Sequence, residues 1–303
     1  MPNQHKLSGV YAAVVTPLHE DGTLDQSTLP SLLEFLANRG CHGALLLGTT
    51  GEGPSFAPNE RITILRAALD IRHSFPEFRL LAGTGTPSLE ETIALTRASF
   101  DLGYDSVVVL PPYYYRHVSD DGLFAWFSQV ILQAVPDGKL LLGYHIPGMS
   151  GVPLSIALLE KLKNSFPHRF AGLKDSSGDP ENARKLGSHF GDDLFVFTGN
   201  DRLFSHALQA NASGCITALA NIASPSLRQV WDTFQMNQDT TEIQENLNKA
   251  RAILEANTPF PPVLKSVLAH QYNFPNWTVL PPLVPFPTER AEGVAADINA
   301  ILK

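Results

Sequence analysis

Lys174 ends a short apolar run, Phe170-Ala171-Gly172-Leu173-Lys174. Strand alternation sets Phe170, Gly172 and Lys174 on one face. A lysine stripped of hydration holds more neutral amine, the form that acts as a nucleophile. Gly172 beneath it would leave room for a substrate. In Leu140-Leu141-Leu142-Gly143-Tyr144 the same alternation turns Tyr144 inward. A phenol there can pass a proton between substrate and water without carrying charge at rest. Gly48-Thr49-Thr50-Gly51 sets two hydroxyls between glycines just before a helical segment. Free backbone N–H groups at such a turn suit a carboxylate. Each feature alone has an ordinary reading: a solvated lysine, a rim tyrosine, a glycine turn capping a helix. Together, a nucleophilic amine, a proton relay and an anion pocket fit imine formation with a 2-oxo acid.

Three strand ends can converge only if the strands lie side by side. Apolar runs recur at Val10–Val15, Ala44–Leu47, Leu80–Ala82, Ser106–Leu110, Leu140–Tyr144, Phe170–Lys174, Leu194–Thr198 and Cys215–Leu219. They start about 20 to 36 residues apart, the length of a strand, a helix and two short loops. Amphipathic segments fill the gaps; in Gln26–Asn38, Leu29, Leu32, Leu33 and Leu36 fall on one helical face. Eight strand–helix units predict an α/β fold, a (β/α)8 TIM barrel whose catalytic groups sit at the C-terminal strand ends. A doubly wound sheet is the alternative, but the first strand ends in Val15-Thr16-Pro17 with no Gly-x-Gly-x-x-Gly turn. Helical patterns at Pro225–Met236, Thr241–Glu255 and Glu289–Leu302 exceed the one helix the barrel still needs. The Pro-rich stretches Thr258–Pro262 and Leu280–Pro282 read as rigid loops between them. The expectation is one domain. Residues 1–224 form the barrel, and 225–303 hold its last helix and a C-terminal helical extension.

Composition narrows the function classes. The chain has 303 residues, with 22 Lys+Arg against 30 Asp+Glu and no basic cluster, so nucleic-acid binding is not expected. Two cysteines cannot build a disulfide framework. The start, MPNQHKLSGV, shows no secretory signal, and no run approaches a membrane span, so a cytoplasmic protein is expected. The ten histidines include no His-x-His or His-Glu-x-x-His pattern, so no metal and no other cofactor is expected. A glycosidase would need two carboxylates flanking a sugar; Glu52 and Asp201 are candidates, but Glu52 better supports its Gly-rich turn.

Gly48-Thr49-Thr50-Gly51-Glu52, Tyr144-x-x-Pro147 and Gly172-x-Lys174 resemble the dihydrodipicolinate synthase/N-acetylneuraminate lyase family of class I pyruvate-dependent aldolases. The likeness covers nearly the whole chain. The resemblance implies a homotetramer, a dimer of dimers, acting on pyruvate or another 2-oxo acid and an aldehyde. It implies Lys174 as the Schiff-base lysine and Tyr144 as the proton-transfer tyrosine. Thr49 and Thr50 would hold the pyruvyl carboxylate, and Thr50 would extend the relay. Tyr114, within Tyr113–Tyr115, would reach a neighbouring subunit's relay. Gly199 and Ile216 would line the lysine pocket, with Ser176 and Asp201 near the substrate.

Departures bear on the aldehyde. Where the synthases carry an arginine for the aldehyde's carboxylate, this chain has Met149. After Gly199 the sialic acid lyases carry two adjacent acids; here Asp201 is followed by Arg202. His145 replaces the usual asparagine after the tyrosine. The segment Lys174-Asp175-Ser176-Ser177-Gly178-Asp179 looks closer to aldolases acting on 2-oxo-3-deoxy sugar acids or 4-hydroxy-2-oxoglutarate. Synthase activity with a non-standard pocket, and a non-catalytic 2-oxo-acid-binding barrel, are the competing expectations.

Overall fold

The structure, a computed structural model, describes residues 7–191 and 193–302. The segment 1–6, part of the stretch read for a secretory signal, lies outside them. Eight parallel strands close into a barrel in sequence order. They are β1 (Gly9–Ala13), β2 (Gly43–Leu46), β3 (Arg79–Gly83), β4 (Ser106–Val109), β5 (Leu140–His145), β6 (Phe170–Asp175), β7 (Phe195–Thr198) and β8 (Gly214–Thr217). The seven barrel helices that follow β1 to β7 are α1 (Leu29–Asn38), α2 (Pro58–Ala67), α3 (Leu89–Asp101), α4 (Asp120–Ala134), α5 (Ile156–Ser165), α6 (Pro180–Phe190) and α7 (Phe204–Gln209). The chain ends in α8 (Ala220–Gln235), α9 (Thr241–Glu255), α10 (Phe260–Tyr272) and α11 (Thr288–Leu302). This is the expected TIM barrel with a C-terminal helical region.

Alternation along the strands sorts side chains into two apolar layers. Tyr11, Leu45, Leu81, Val108, Leu142 and Phe197 fill the barrel interior. Val10, Ala12, Leu46, Val107 and Leu141 face outward under the helices. Tyr11 meets Phe197 edge-on at 5.7 Å and, with Leu7, plugs the N-terminal end. Burial of each such side chain contributes about 1.5–3 kcal/mol. The helices present matching faces: Leu29, Leu32, Leu33 and Leu36 of α1 are all buried. Ser88, Ser119, Ser155 and Asp179 accept first-turn N–H groups and so start α3 to α6 sharply after their loops.

Closure uses one buried amide. Asn221 Oδ1 accepts the Val15 N–H at 3.1 Å, and its Nδ2 donates to the carbonyls of Ala13 and Ala218. That side chain ties the first strand's exit to the last. It sits in the first turn of α8, which begins at Ala220 rather than at Pro225; a kink at Ala223 lets the helix absorb the proline. The Pro-rich segment expected as loop also starts a helix. Pro259 is the N-cap of α10, and Pro261 and Pro262 occupy its first turn, where a missing N–H costs no intrahelical hydrogen bond.

The strand that carries Lys174 departs from simple alternation. Leu141 pairs with Phe170 but Leu142 pairs with Gly172, so Ala171 is an extra residue in a bulge. Phe170 therefore joins Leu173 in the outer layer instead of sharing Lys174's face. Gly172 has a reason other than substrate room: with φ +153°, a Cβ there would stand 1.9 Å from the Phe195 carbonyl oxygen. Only glycine lets β6 and β7 approach this closely.

One loop histidine gives the fold a pH dependence. Burial, then the charges of Arg228 and Arg79, hold the half-buried His42 down at about 4, against the opposing pull of Asp232. Its Nδ1 accepts the Val10 N–H at 3.0 Å, so the neutral ring is the native form. The unfolded ring titrates near 6.5. Between those values the unfolded state binds the extra proton, so stability falls as pH falls from about 6.5 towards 4. The ring's partial exposure limits the loss to about 1–2 kcal/mol. Urea unfolding near neutrality and near pH 5 is expected to show that loss, and His42→Asn to flatten it. An equal pH dependence in the variant would place its origin elsewhere.

Candidate active site

Parallel pairing brings the chemistry together. Tyr144 of β5 and Lys174 of β6 are register partners at the C-terminal end of the barrel. Both point into the mouth and are buried, at 5% and 3% exposure. Lys174 Nζ donates to the Tyr144 hydroxyl at 3.2 Å and stands 4.3 Å from its ring centroid. The phenol oxygen lies 3.3 Å from Thr49 Oγ1. These contacts form one chain, amine to phenol to hydroxyl. The hydroxyl that meets the phenol is Thr49's, not the Thr50 hydroxyl expected from the resemblance. Thr50 is buried on the cavity wall, and among the described residues its N–H has no acceptor.

Burial pushes the Tyr144 phenol up. The charge of Lys174, with hydrogen bonds involving Thr49, Lys174 and Ser176, pulls it down harder. The phenol is thus more acidic than an ordinary tyrosine, the direction that eases proton transfer.

The turn behind Thr49 and Thr50 is strained and braced. Leu47 and Glu52 hold φ of +58° and +57°, uncommon for side chains of this size. Glu52 is 2% exposed. Its Oε1 accepts Lys265 Nζ at 2.6 Å, and its Oε2 accepts the Leu280 N–H at 3.1 Å. Lys265, itself 1% exposed, also donates to the Thr278 carbonyl. Burial holds Lys265 below the ordinary lysine range, with Glu52 opposing. This pair bolts the substrate turn to α10. Lys265 was missed in the sequence; the available signal was one lysine inside the apolar helix Pro261–Leu268.

Gly199 lines the pocket, and a Cβ there would lie 1.8 Å from Ser176 Oγ and 3.1 Å from Lys174 Cε, so a larger residue would have to displace the Ser176 side chain and crowd the lysine. Ile216 and Ser176 line the same cavity. His145 serves a brace. Its Nδ1 accepts the Leu154 N–H at 2.9 Å, and its Nε2 faces Asp175 at 4.0 Å. Burial lowers its pKa against the pull of Asp175, which favours the neutral ring. Asp175 in turn accepts from the Ser177 N–H and from Asn182.

Asp201, Arg202 and Tyr114 lie off the cavity wall, and Met149 stands at its rim. Asp201 is fully buried and off the cavity wall, paired with Arg251 Nη1 at 2.5 Å. It therefore supports Arg251, which does line the cavity, instead of meeting a substrate. Arg202 pairs with Glu255 at 3.1 Å and lies outside the lining. Met149 lines the rim on a one-turn helix, Pro147–Ser150, with 66% of its surface exposed. Tyr114 is 78% exposed, away from this chain's own cavity and edge-on to Tyr115.

The cavity above Lys174 has a volume of ≈ 1010 Å³, roomy enough for a three-carbon oxo acid and a second molecule. Among the described residues no group of three or more His, Cys, Asp or Glu is arranged to hold a metal ion, and no helix is long and apolar enough to cross a membrane. Cys41 and Cys215 are buried free thiols.

A model of the dihydrodipicolinate synthetase family matches residues 6–301. An uncharacterized DapA-like lyase of Chloroflexus aurantiacus is 38% identical over 296 residues, 97% of this chain and 97% of that protein. A 4-hydroxy-tetrahydrodipicolinate synthase of Corynebacterium urealyticum is 35% identical over 226 residues, 74% of this chain and 72% of that one. Among solved structures, the E. coli K12 prophage protein YagE, in complex with pyruvate, superposes with a TM-score of 0.89 at 25% identity. That match covers 97% of this chain and 98% of the other.

Proposed function

The chain belongs to the dihydrodipicolinate synthetase family, and on that premise we propose that it is a class I aldolase or lyase whose Lys174 forms an imine with pyruvate or another 2-oxo acid. The observation that carries this is the buried contact chain from Lys174 Nζ to the Tyr144 phenol at 3.2 Å and on to Thr49 at 3.3 Å. The amine attacks the ketone carbon, and loss of water leaves an iminium ion that withdraws electrons from C3. Loss of a C3 proton gives the enamine. In synthesis the enamine carbon attacks an aldehyde, and the new alkoxide takes a proton from Tyr144. Thr49 relays the replacement proton, giving its own to the phenolate as it takes one from water. In cleavage the same path runs backwards, and water then hydrolyses the iminium. Thr50, with its free N–H and its hydroxyl, holds the carboxylate at the turn.

A homotetramer in the cytoplasm is the assembly we propose, with exposed Tyr114 offered to a neighbouring copy's relay. For the aldol that is formed or cleaved, the loop after Lys174 supports a 2-oxo-3-deoxy sugar acid or 4-hydroxy-2-oxoglutarate. The Corynebacterium urealyticum relative favours synthase activity equally. All share the imine half-reaction, so that half is tested first. The folded protein is treated with pyruvate and borohydride, and its intact mass and peptide map are measured. One pyruvate, less a water and plus two hydrogens, is expected on Lys174. Unmodified Lys174 after this treatment, and after longer 2-oxo acids, would leave a non-catalytic binding barrel.

A further inference from the structure

We propose that the second substrate of this site is an apolar aldehyde, aromatic or long-chain alkyl, seated against Ile146, Met149 and Phe260. The inference rests on the imine reading above and narrows its aldehyde half, away from the sugar-acid and dicarboxylate classes. Lys174, Tyr144, Thr49 and Thr50, at the strand ends, serve the 2-oxo acid. Outward from them the wall is Pro54, Ile146, Met149, Phe260, Pro282 and Leu283. Ser55, Ser176, Asn200 and Thr258 are the uncharged polar residues that also line the cavity.

Beyond Lys174, the charged residues of the wall, Glu52 and Arg251, are ion-paired. Glu52 is bound to Lys265. Arg251 is held by Asp201 and by Glu255, and it lies 4.8 Å over the Phe260 ring. Glu255 also takes Arg202, so two arginines face two carboxylates. Arg251 is bound through Nε and Nη1, and turning it towards a substrate carboxylate would break both contacts. Asp201 has 0% exposure, and among the described residues its Oδ1 has no partner. Removing Arg251 would leave that buried carboxylate uncompensated. A glyoxylate carboxylate would thus shed water with no unpaired charge to meet it, and a polyhydroxy aldehyde would find only the few neutral partners among the prolines and Leu283. An aromatic ring or alkyl chain gains from the same surface.

In the bond-forming step the enamine carbon attacks the aldehyde carbon. The carbonyl π pair becomes an alkoxide, Tyr144 protonates it, and hydrolysis releases a 4-hydroxy-2-oxo acid bearing the apolar group. The test measures pyruvate consumption by the full-length protein with benzaldehyde, glyoxylate or glyceraldehyde, with borohydride trapping of pyruvate alongside. The expected result is a trapped adduct and kcat/KM for benzaldehyde at least about tenfold above both polar aldehydes. Met149→Arg, at an exposed position, is expected to lower the benzaldehyde-to-glyoxylate ratio at least about fivefold. An adduct with equal or better use of a polar aldehyde overturns the inference and leaves the imine reading intact. An unchanged ratio in the variant overturns the seat against Met149. Absence of an adduct overturns the imine reading and this inference with it.

Discussion

Lys174→Ala is expected to abolish trapping by pyruvate and borohydride and to lower aldol turnover by about 10⁴-fold or more. The loss is large because no neighbour can replace the amine. Among the described residues Lys265 is the other buried lysine, and it is committed to Glu52 and the Thr278 carbonyl. The substitution leaves a neutral phenol behind, not an uncompensated charge, so the fold is expected to hold. A second readout separates chemistry from collapse. Lys174 is what pulls the Tyr144 phenol down against burial, so in Lys174→Ala that phenol is expected to titrate at higher pH than in the parent. Lys174→Arg keeps the charge but offers no amine for an imine. It is expected to lose trapping as completely while holding the phenol low. Trapping that survived in either variant would move the imine to another lysine.

The barrel was legible because its signals are local and repeated. Each apolar run lies within a few residues of an observed strand, and the helix faces follow from 3.6-residue spacing. What escaped depended on contacts between distant segments. The bulge at Ala171 is a pairing fact of β5 with β6, so alternation alone put Phe170 on the wrong face. Pro261 and Pro262 break a helix interior but suit its first turn, and composition cannot tell the two positions apart. The site shows the same division. Lys174 and Tyr144 could be found from the strand ends that carry them. Which of two adjacent threonines meets the phenol depends on a turn with two left-handed residues, Leu47 and Glu52. Asp201 looked like a substrate ligand because its partner, Arg251, lies fifty residues further on in α9.

Tyr144→Phe is expected to lower kcat by about 10²–10⁴-fold while the pyruvate adduct on Lys174 still forms. The change keeps the ring 4.3 Å from Nζ and removes only the oxygen that bridges Lys174 and Thr49. Packing is conserved, and the two lost hydrogen bonds cost about 1–2 kcal/mol in stability. Imine formation needs the amine and the ketone. C–C bond formation or cleavage also needs a group that takes and returns the hydroxyl proton, and the nearest such group is this phenol. The expected signature is therefore a split, with kcat reduced far more than KM or adduct yield. The pH profile supplies a second check. The parent phenol is shifted below the ordinary tyrosine range by Lys174 and its hydroxyl neighbours, so the kcat limb that follows its ionisation is expected below that range and absent from the variant. Equal losses of adduct and turnover would instead assign Tyr144 to holding the lysine. The proton path would then have to run through Thr49 or a residue brought by another subunit.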